Sequence, residues 1–262
     1  MVYKTLEEIK GNSIMKHSLK KLSGYSVTTK DGKEGKINDF LFDEKRWVIR
    51  YLEVDFGSFL NMKKALIPRS FIENPDQDNE IIKLALEGKD IEACPDIEKG
   101  IPISRAYEAE LNKYYNINHY WMVDPAAVEV PVLYPPRPLG IPGKAIDEDD
   151  LDTSLRSYNE VEGYHINALD GKLGHIDDII ADDYDWQIVH LIADTSNWLP
   201  WSKKVIMPLN FLDEISYAKQ EVSISLKKDT IKNAPEYDPG GKLELQEEKT
   251  AYDFMSSIMM DK

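Results

Sequence analysis

Alternation of apolar and polar residues with a two-residue period marks two distant segments of the chain as β-strands, Trp47–Val54 and Trp186–Ala193. Both faces of each segment are largely apolar, whereas a strand covered on one side only alternates cleanly between apolar and polar residues. We therefore predict that one face lies in the core of its own sheet. The other is expected to be covered by a second sheet, by the connecting segment or by another subunit. The residues predicted to form this interface are Trp47, Ile49, Tyr51, Trp186, Ile188 and His190.

Shorter predicted strands surround these two segments in the same order. A hairpin is predicted at each Asp-Gly pair, 31–32 and 170–171, because glycine tolerates the positive φ that a two-residue turn requires. The other predicted strands are Gly35–Phe42, Gly174–Ala181, Ala65–Pro68, Val205–Pro208, Glu80–Leu86 and Glu221–Leu226. Short strands with frequent turns are typical of closed or nearly closed barrels, which have no exposed sheet edges. The predicted fold class is mainly all-β, with two small β-barrels and short helices in the connector and the C-terminal tail.

The shared order of strands reflects an internal duplication. Residues 24–71 align with residues 163–211 at an offset of 139, which becomes 140 after one inserted residue, and eighteen positions are identical. At average residue usage, about three identities would arise by chance. The identical pairs include Gly24/Gly163, Asp39/Asp178, Trp47/Trp186, Asp55/Asp194 and Pro68/Pro208. The period is too long for a solenoid, so the chain contains two copies of one domain.

The sequence divides into four regions. We predict a first repeat with its following helix at residues 1–120, a proline-rich connector at 121–150, a second repeat at 151–240 and a tail at 241–262. Ser104 is predicted to cap the helix that follows the first repeat. Six of the fourteen prolines lie between residues 121 and 145, so this connector is expected to be extended and to lie across a barrel surface. The tail is expected to be helical or frayed, and its apolar residues could dock on a partner or on the chain itself.

Charge and composition narrow the classes of partner. The chain has 262 residues and a net charge of −15, and residues 131–262 contribute −12 of it, with 13 Lys and Arg against 25 Asp and Glu. Nucleic acids and anionic membranes attract positive charge, so we expect neither as a partner. No segment has the apolar length of a membrane span or of a signal peptide, and the single cysteine, Cys94, rules out an intrachain disulfide. These features predict a cytoplasmic protein.

The repeated elements resemble the PRC-barrel domain, the β-barrel of the photosynthetic reaction centre H subunit. The motif is G-Y, D-G-x-x-G, W-x-I and a closing K-K-x-x-x-P, and it occurs once near Gly24 and once near Gly163. The resemblance covers residues 22–125 and 155–240. It implies two PRC-type barrels and a module that docks on a membrane complex and supports electron or proton transfer there. The H subunit has an N-terminal membrane helix, which we do not expect in this chain. A related barrel in a ribosome maturation factor binds a ribosomal protein.

The acidic turn of the second repeat is the candidate for cation binding or proton collection. Its residues are Asp177, Asp178, Asp182, Asp183 and Asp185. Charge-rich turns are commonly solvated, and this one lacks the ligand spacing of an EF-hand, so a solvated turn is the favoured interpretation. Stabilisation by millimolar calcium in a thermal-shift assay would support the alternative.

Two histidines of the second hairpin, His165 and His175, suggest a metal site by their proximity in sequence. With Asp170 and Gly171 as the two-residue turn, His165 would face Ile176 across the hairpin, and the two imidazoles would project to opposite faces. We therefore predict no metal and no cofactor. The sequence also contains no catalytic GxSxG or HExxH motif and no recognisable Cys–His pair.

These observations favour a non-catalytic protein-binding or assembly module. Its two barrels are expected to pack as a pseudo-symmetric pair or as halves of a dimer, and its partner is expected to be another protein or a second copy of the chain. The alternative is an enzyme or small-ligand carrier that uses a cleft between the two barrels. A cleft lined by converging His, Asp and Tyr side chains would favour this alternative.

Overall fold

The computed structural model describes residues 14–57, 63–97, 103–122, 155–195, 203–240 and 245–260. Strands make up 41% and helices 26% of the structure, so the prediction of a mainly β protein is confirmed. Two separate sheets form, one from each repeat. We refer to the described residues before 123 as the N-terminal unit and to those from 155 onwards as the C-terminal unit.

The N-terminal unit contains six strands, three α-helices and two short 3-10 helices, Arg69–Phe71 and Tyr120–Met122. The strands are β1 (Lys16–Ser18), β2 (Ser26–Thr28), β3 (Glu34–Asp43), β4 (Val48–Asp55), β5 (Lys64–Pro68) and β6 (Ile81–Lys83), and the helices are α1 (Leu19–Leu22), α2 (Gly88–Ala93) and α3 (Arg105–Tyr114). The sheet has the order β5-β4-β3-β2-β6, in which only the β2–β6 pair is parallel. The predicted cap of α3 is present, because the hydroxyl of Ser104 accepts a hydrogen bond from the backbone N–H of Tyr107 at 3.2 Å.

The C-terminal unit repeats this arrangement and adds one strand. Its strands are β7 (Leu155–Ser157), β8 (His165–Ala168), β9 (Gly171–Asp182), β10 (Ile188–Asp194), β11 (Lys204–Pro208), β12 (Leu212–Ser216) and β13 (Glu221–Ile224), and its helices are α4 (Tyr158–Val161), α5 (Lys228–Asn233) and α6 (Leu245–Met260). The sheet has the order β11-β10-β9-β8-β13-β12. The long strands of both units thus lie where the alternating pattern predicts them.

The prediction of closed barrels is wrong for the part of the chain that the structure describes. In the N-terminal sheet, the end strands β5 and β6 are not hydrogen-bonded to each other, and the same holds for β11 and β12 in the C-terminal sheet. Closure would remove exposed edges, but here other segments cover the sheets instead. Each sheet receives one short strand from the other unit, and a helix packs on the outer face of each long strand.

The two units exchange their first strands. Strand β1 of the N-terminal unit pairs with β9 of the C-terminal sheet, and β7 of the C-terminal unit pairs with β3 of the N-terminal sheet. The registers are equivalent at the offset of 139, since Lys16 faces Asp182 in one pair and Leu155 faces Asp43 in the other. The two units therefore form a reciprocally exchanged, pseudo-symmetric pair within one chain.

Helices α3 and α6 cover the outer faces of β4 and β10. Tyr51 on β4 contacts Glu108 of α3, and on the C-terminal side Ala251 of α6 packs with Ile180, Ile192 and Ile206 of the sheet. The C-terminal tail is thus helical over residues 245–260, and it docks on its own unit. Most of the predicted connector lies outside the described residues, so its predicted path over a barrel surface stays a prediction.

Candidate functional site

The seam between the two units is formed by the corner that precedes each long strand. Trp47 and Trp186 adopt positive φ angles of 54° and 58°, which turn the chain sharply before β4 and β10. The carbonyl of Trp186 accepts a hydrogen bond from the N–H of Ile49 at 2.9 Å, and that of Trp47 accepts one from Ile188 at 2.7 Å. These two equivalent hydrogen bonds join the sheets directly through the backbone.

The six residues of the predicted interface lie at this seam or under the covering helices. Five are buried, namely Ile49, Tyr51, Trp186, Ile188 and His190, and Trp47 is partly buried. The ring of Trp47 stacks on Phe42 with centroids 5.5 Å apart. The backbones of Trp47, Ile49, Trp186 and Ile188 join the two units, whereas the side chains of Tyr51 and His190 contact Glu108 of α3 and Glu248 of α6. A role of these residues in binding another protein or a second copy of the chain stays a prediction.

Each exchanged strand is held by a buried aspartate of the opposite unit. The hydroxyl of Ser18 donates to the carboxylate of Asp178, and that of Ser157 donates to Asp39. The same carboxylates accept hydrogen bonds from the backbone N–H groups of Lys20 and Asn159, at 3.0 and 3.2 Å. Burial raises the pKa of both Asp39 and Asp178, because it disfavours the charged form. These contacts lock the start of each unit onto its neighbour.

Four of the five residues of the acidic turn are buried, so the expected solvated turn is not observed. Asp182 accepts from two backbone N–H groups within its own turn, and Asp183 accepts from the N–H of Met15 at 2.9 Å. Asp185 is the one that is not buried, and its carboxylate accepts from the N–H of Gln187. The acidic residues therefore serve mainly as acceptors that shape the turn and bind the exchanged strand.

A buried ionic cluster links the exchanged strand β1 to the C-terminal helix. The carboxylate of Glu248 on α6 contacts the ammonium of Lys16, and its second oxygen lies 3.3 Å from Nε2 of His190. Burial lowers the pKa of His190, because the imidazolium form would lose its hydration. Burial alone would raise the pKa of Glu248, but His190 and Lys16 hold it below its usual value.

The N-terminal unit has an uncharged counterpart at the position of His190. Tyr51 occupies that position, and its hydroxyl lies 3.3 Å from Glu108 and 3.2 Å from Asn112 on α3. Burial, together with the charge of Glu108, raises the pKa of Tyr51, so its hydroxyl stays protonated and donates. Each unit therefore presents a buried glutamate from its covering helix to the same position of its long strand.

The register of the second hairpin differs from the predicted one. Ala168 faces Gly171, so the two-residue loop is Leu169–Asp170, and an irregularity between His165 and Asn167 shifts the pairing further. As a result His165 faces His175 directly, and the prediction that their side chains project to opposite faces is wrong. The cause is Gly174, whose φ of +54° creates a bulge that the alternating pattern does not reveal.

The single cysteine has no features of a catalytic nucleophile. Cys94 is buried, and burial raises the pKa of its thiol, whereas a reactive cysteine needs a lowered pKa to form the thiolate.

The described parts of the chain include no helix that is both long and apolar enough to cross a membrane.

Comparison with known proteins identifies one domain. Residues 15–86 match the model of the PRC-barrel domain, a stretch that begins at β1 and ends just after β6. The search of curated proteins returned no match. The family match thus covers the N-terminal sheet together with the strand that this unit donates to its neighbour.

Two equivalent pairs of residues were not predicted from the sequence, namely the serines that bind the opposite unit and the buried glutamates of the covering helices. Ser18 and Ser157 are equivalent at the offset of 139, and Glu108 and Glu248 are equivalent at the offset of 140. Both pairs lie outside residues 24–71 and 163–211, in which the eighteen identities were counted, but they follow from the same offsets between the repeats.

Proposed function

We propose that the chain is a non-catalytic protein-binding or assembly module made of two PRC-barrel-type units, the second formed by residues 155–240. The second unit is supported by its equivalent strand order and by bulges at equivalent positions of β3–β4 and β9–β10. The proposal places the module in the cytoplasm. Through a protein partner, it would dock on a membrane or electron-transfer complex, as its resemblance to the H subunit implies.

The observation that carries this proposal is the closed seam between the units. Along the part of this seam that the structure describes, the two units are joined by backbone hydrogen bonds and by buried side chains. The acidic groups near the seam are engaged as acceptors for Ser18, Ser157 and nearby backbone N–H groups. This arrangement disfavours an enzyme or ligand carrier that uses an inter-unit cleft, and it leaves the outer surface for recognition.

The charge distribution indicates which outer surface to test. The acidic surplus of residues 131–262 favours a partner with a basic surface, because complementary charge steers association. Asp213 and Glu214 are exposed on β12, a strand that the N-terminal unit lacks. The equivalent position of the N-terminal unit is Glu73, which is also exposed.

Affinity purification of the tagged chain from its native host tests this function. We expect a stoichiometric protein partner, or a second copy of the chain, whose recovery falls in the double variant Asp213→Lys/Glu214→Lys and is retained in Glu73→Lys. The proposal would be rejected if the wild-type chain is recovered alone and monomeric. Equal losses in both variants would show that the acidic C-terminal surface is not the binding surface.

A further inference from the structure

We propose that the C-terminal unit binds a divalent transition-metal ion through His175, Asp177 and Asp194. His175 and Asp194 face each other on β9 and β10. The bulge between Ile176 and Asp178 leaves Asp177 without a partner on β10 and turns its side chain toward the same place. One ligand atom from each of the three residues lies within 4.8 Å of the other two.

The chemistry of this group suits zinc and related ions. Imidazole nitrogen and carboxylate oxygen are common ligands of Zn²⁺, and three protein ligands leave a fourth position for water. Zinc binds such atoms at about 2.0–2.2 Å, so small rotations of the His175 and Asp194 side chains toward the buried Asp177 bring the three ligands to one ion. His175 and Asp194 are both partly exposed, which allows this movement and access by the ion.

The N-terminal unit shows that this ligand set is specific to the C-terminal unit. The equivalent residues there are Lys36, Asn38 and Asp55, and Lys36 faces Asp55 just as His175 faces Asp194. The duplicated fold requires neither a histidine nor a second carboxylate at these positions. The C-terminal unit has the imidazole of His175 in place of the ammonium of Lys36, and the carboxylate of Asp177 in place of the amide of Asn38. Both differences provide a metal ligand.

Two lysines compete with a metal for Asp177. Lys20 and Lys204 lie 3.0 and 2.6 Å from its two oxygens, and they hold the pKa of Asp177 low although burial alone would raise it. The lysine side chains of both ion pairs reach water, with exposures of 50% and 28%, so each ammonium can be rehydrated when a metal takes its place. Lys20 also contacts Glu162 at 3.0 Å, so it keeps a partner when a metal takes one oxygen of Asp177.

His165 stands next to this site on the neighbouring strand. It is exposed and faces His175 across the β8–β9 pair, so its imidazole lies on the same side of the sheet. The equivalent residue of the N-terminal unit is Ser26, which faces Lys36. His165 lies outside the group of three ligand atoms within 4.8 Å, and it is the neighbouring side chain that could replace water at the fourth position.

Titration of the chelator-treated full chain with Zn²⁺ by calorimetry tests the proposal. We expect one ion per chain, with affinity weakened roughly tenfold or more in His175→Ala and in Asp194→Asn, because loss of a direct ligand costs at least as much as loss of an outer-shell partner. The matched controls Lys36→Ala and Asp55→Asn, at the equivalent N-terminal positions, are expected to bind Zn²⁺ like the wild type. Circular dichroism of each variant verifies that it is folded.

Three results would overturn the proposal. The first is no binding of Zn²⁺ to the wild type, and the second is undiminished binding by a folded His175→Ala variant. The third is displacement of Zn²⁺ by an equal concentration of Ca²⁺, because a hard cation that prefers oxygen ligands would not need the imidazole.

Discussion

The aspartates that hold the exchanged strands provide the sharpest test of the fold. Asp178→Ala removes the acceptor for the hydroxyl of Ser18 and for the N–H groups of Lys20 and Ile179, the last at 2.7 Å. A hydrogen bond to a charged group contributes about 1.5–3 kcal/mol, and a buried donor left without a partner adds a further cost. Burial of the Asp178 carboxylate costs hydration energy, which also raises its pKa. This cost offsets part of the stabilisation that the hydrogen bonds provide. We expect the free energy of unfolding to fall by about 2–4 kcal/mol.

The pseudo-symmetry supplies a second variant and a control. Asp39→Ala removes the equivalent contacts with Ser157 and Asn159, so its cost should match that of Asp178→Ala within about 1 kcal/mol. Asp177→Ala, at the neighbouring position, removes only ion pairs with partly exposed lysines and should cost about 1 kcal/mol or less. Urea denaturation, analysed by linear extrapolation, measures all three values. A cost of Asp178→Ala no greater than that of Asp177→Ala would show that Asp178 does not hold the exchanged strand.

Three further predictions address the pH response, the bulge and the C-terminal helix. Because burial lowers the pKa of His190, the unfolded chain binds a proton that the folded chain does not, so the free energy of unfolding should fall as pH drops below about 6.5. His190→Gln should reduce this slope in urea titrations between pH 7 and 5, and an unchanged slope would assign it to other groups. Gly174→Ala should cost more than about 3 kcal/mol or prevent folding, because a Cβ there would lie 1.8 Å from the carbonyl oxygen of Asp194. Gly163→Ala, with φ +89° and no atom within 4 Å of the added carbon, should cost only about 1 kcal/mol in the same denaturation assay. Met255→Ala, at a fully buried position of α6, should cost about 2–5 kcal/mol and increase hydrogen exchange across residues 245–257, and unchanged exchange would show that the helix is not docked.

The sequence predicts the local elements of this fold well, because they depend on local patterns. Alternation of apolar residues located the long strands, and Ser104 located the start of α3. Because both faces of β4 and β10 carry apolar residues, the sequence also predicted that the outer faces of these strands are covered. Their actual cover could not be identified, because α3 and α6 reach these faces through contacts between residues far apart in the sequence.

The arrangement of the elements was harder to predict for physical reasons. The strand exchange depends on β1 and β7, which have three residues each and carry no alternating pattern. The register of the second hairpin depends on the bulge at Gly174, and a shift of one residue changes which side chains share a face. Because of this shift, the sequence did not predict that the imidazoles of His165 and His175 are neighbours. It also did not predict that His175 lies close to Asp177 and Asp194.

Cleavage of the connector tests most directly whether the two units are held together by their exchanged strands. A protease site inserted between residues 135 and 145 would separate the chain into two fragments without touching any described residue. We expect the fragments to stay together during size-exclusion chromatography and native mass spectrometry, and to separate only when denaturant unfolds them. Fragments that separate under native conditions, each folded and monomeric, would contradict this expectation.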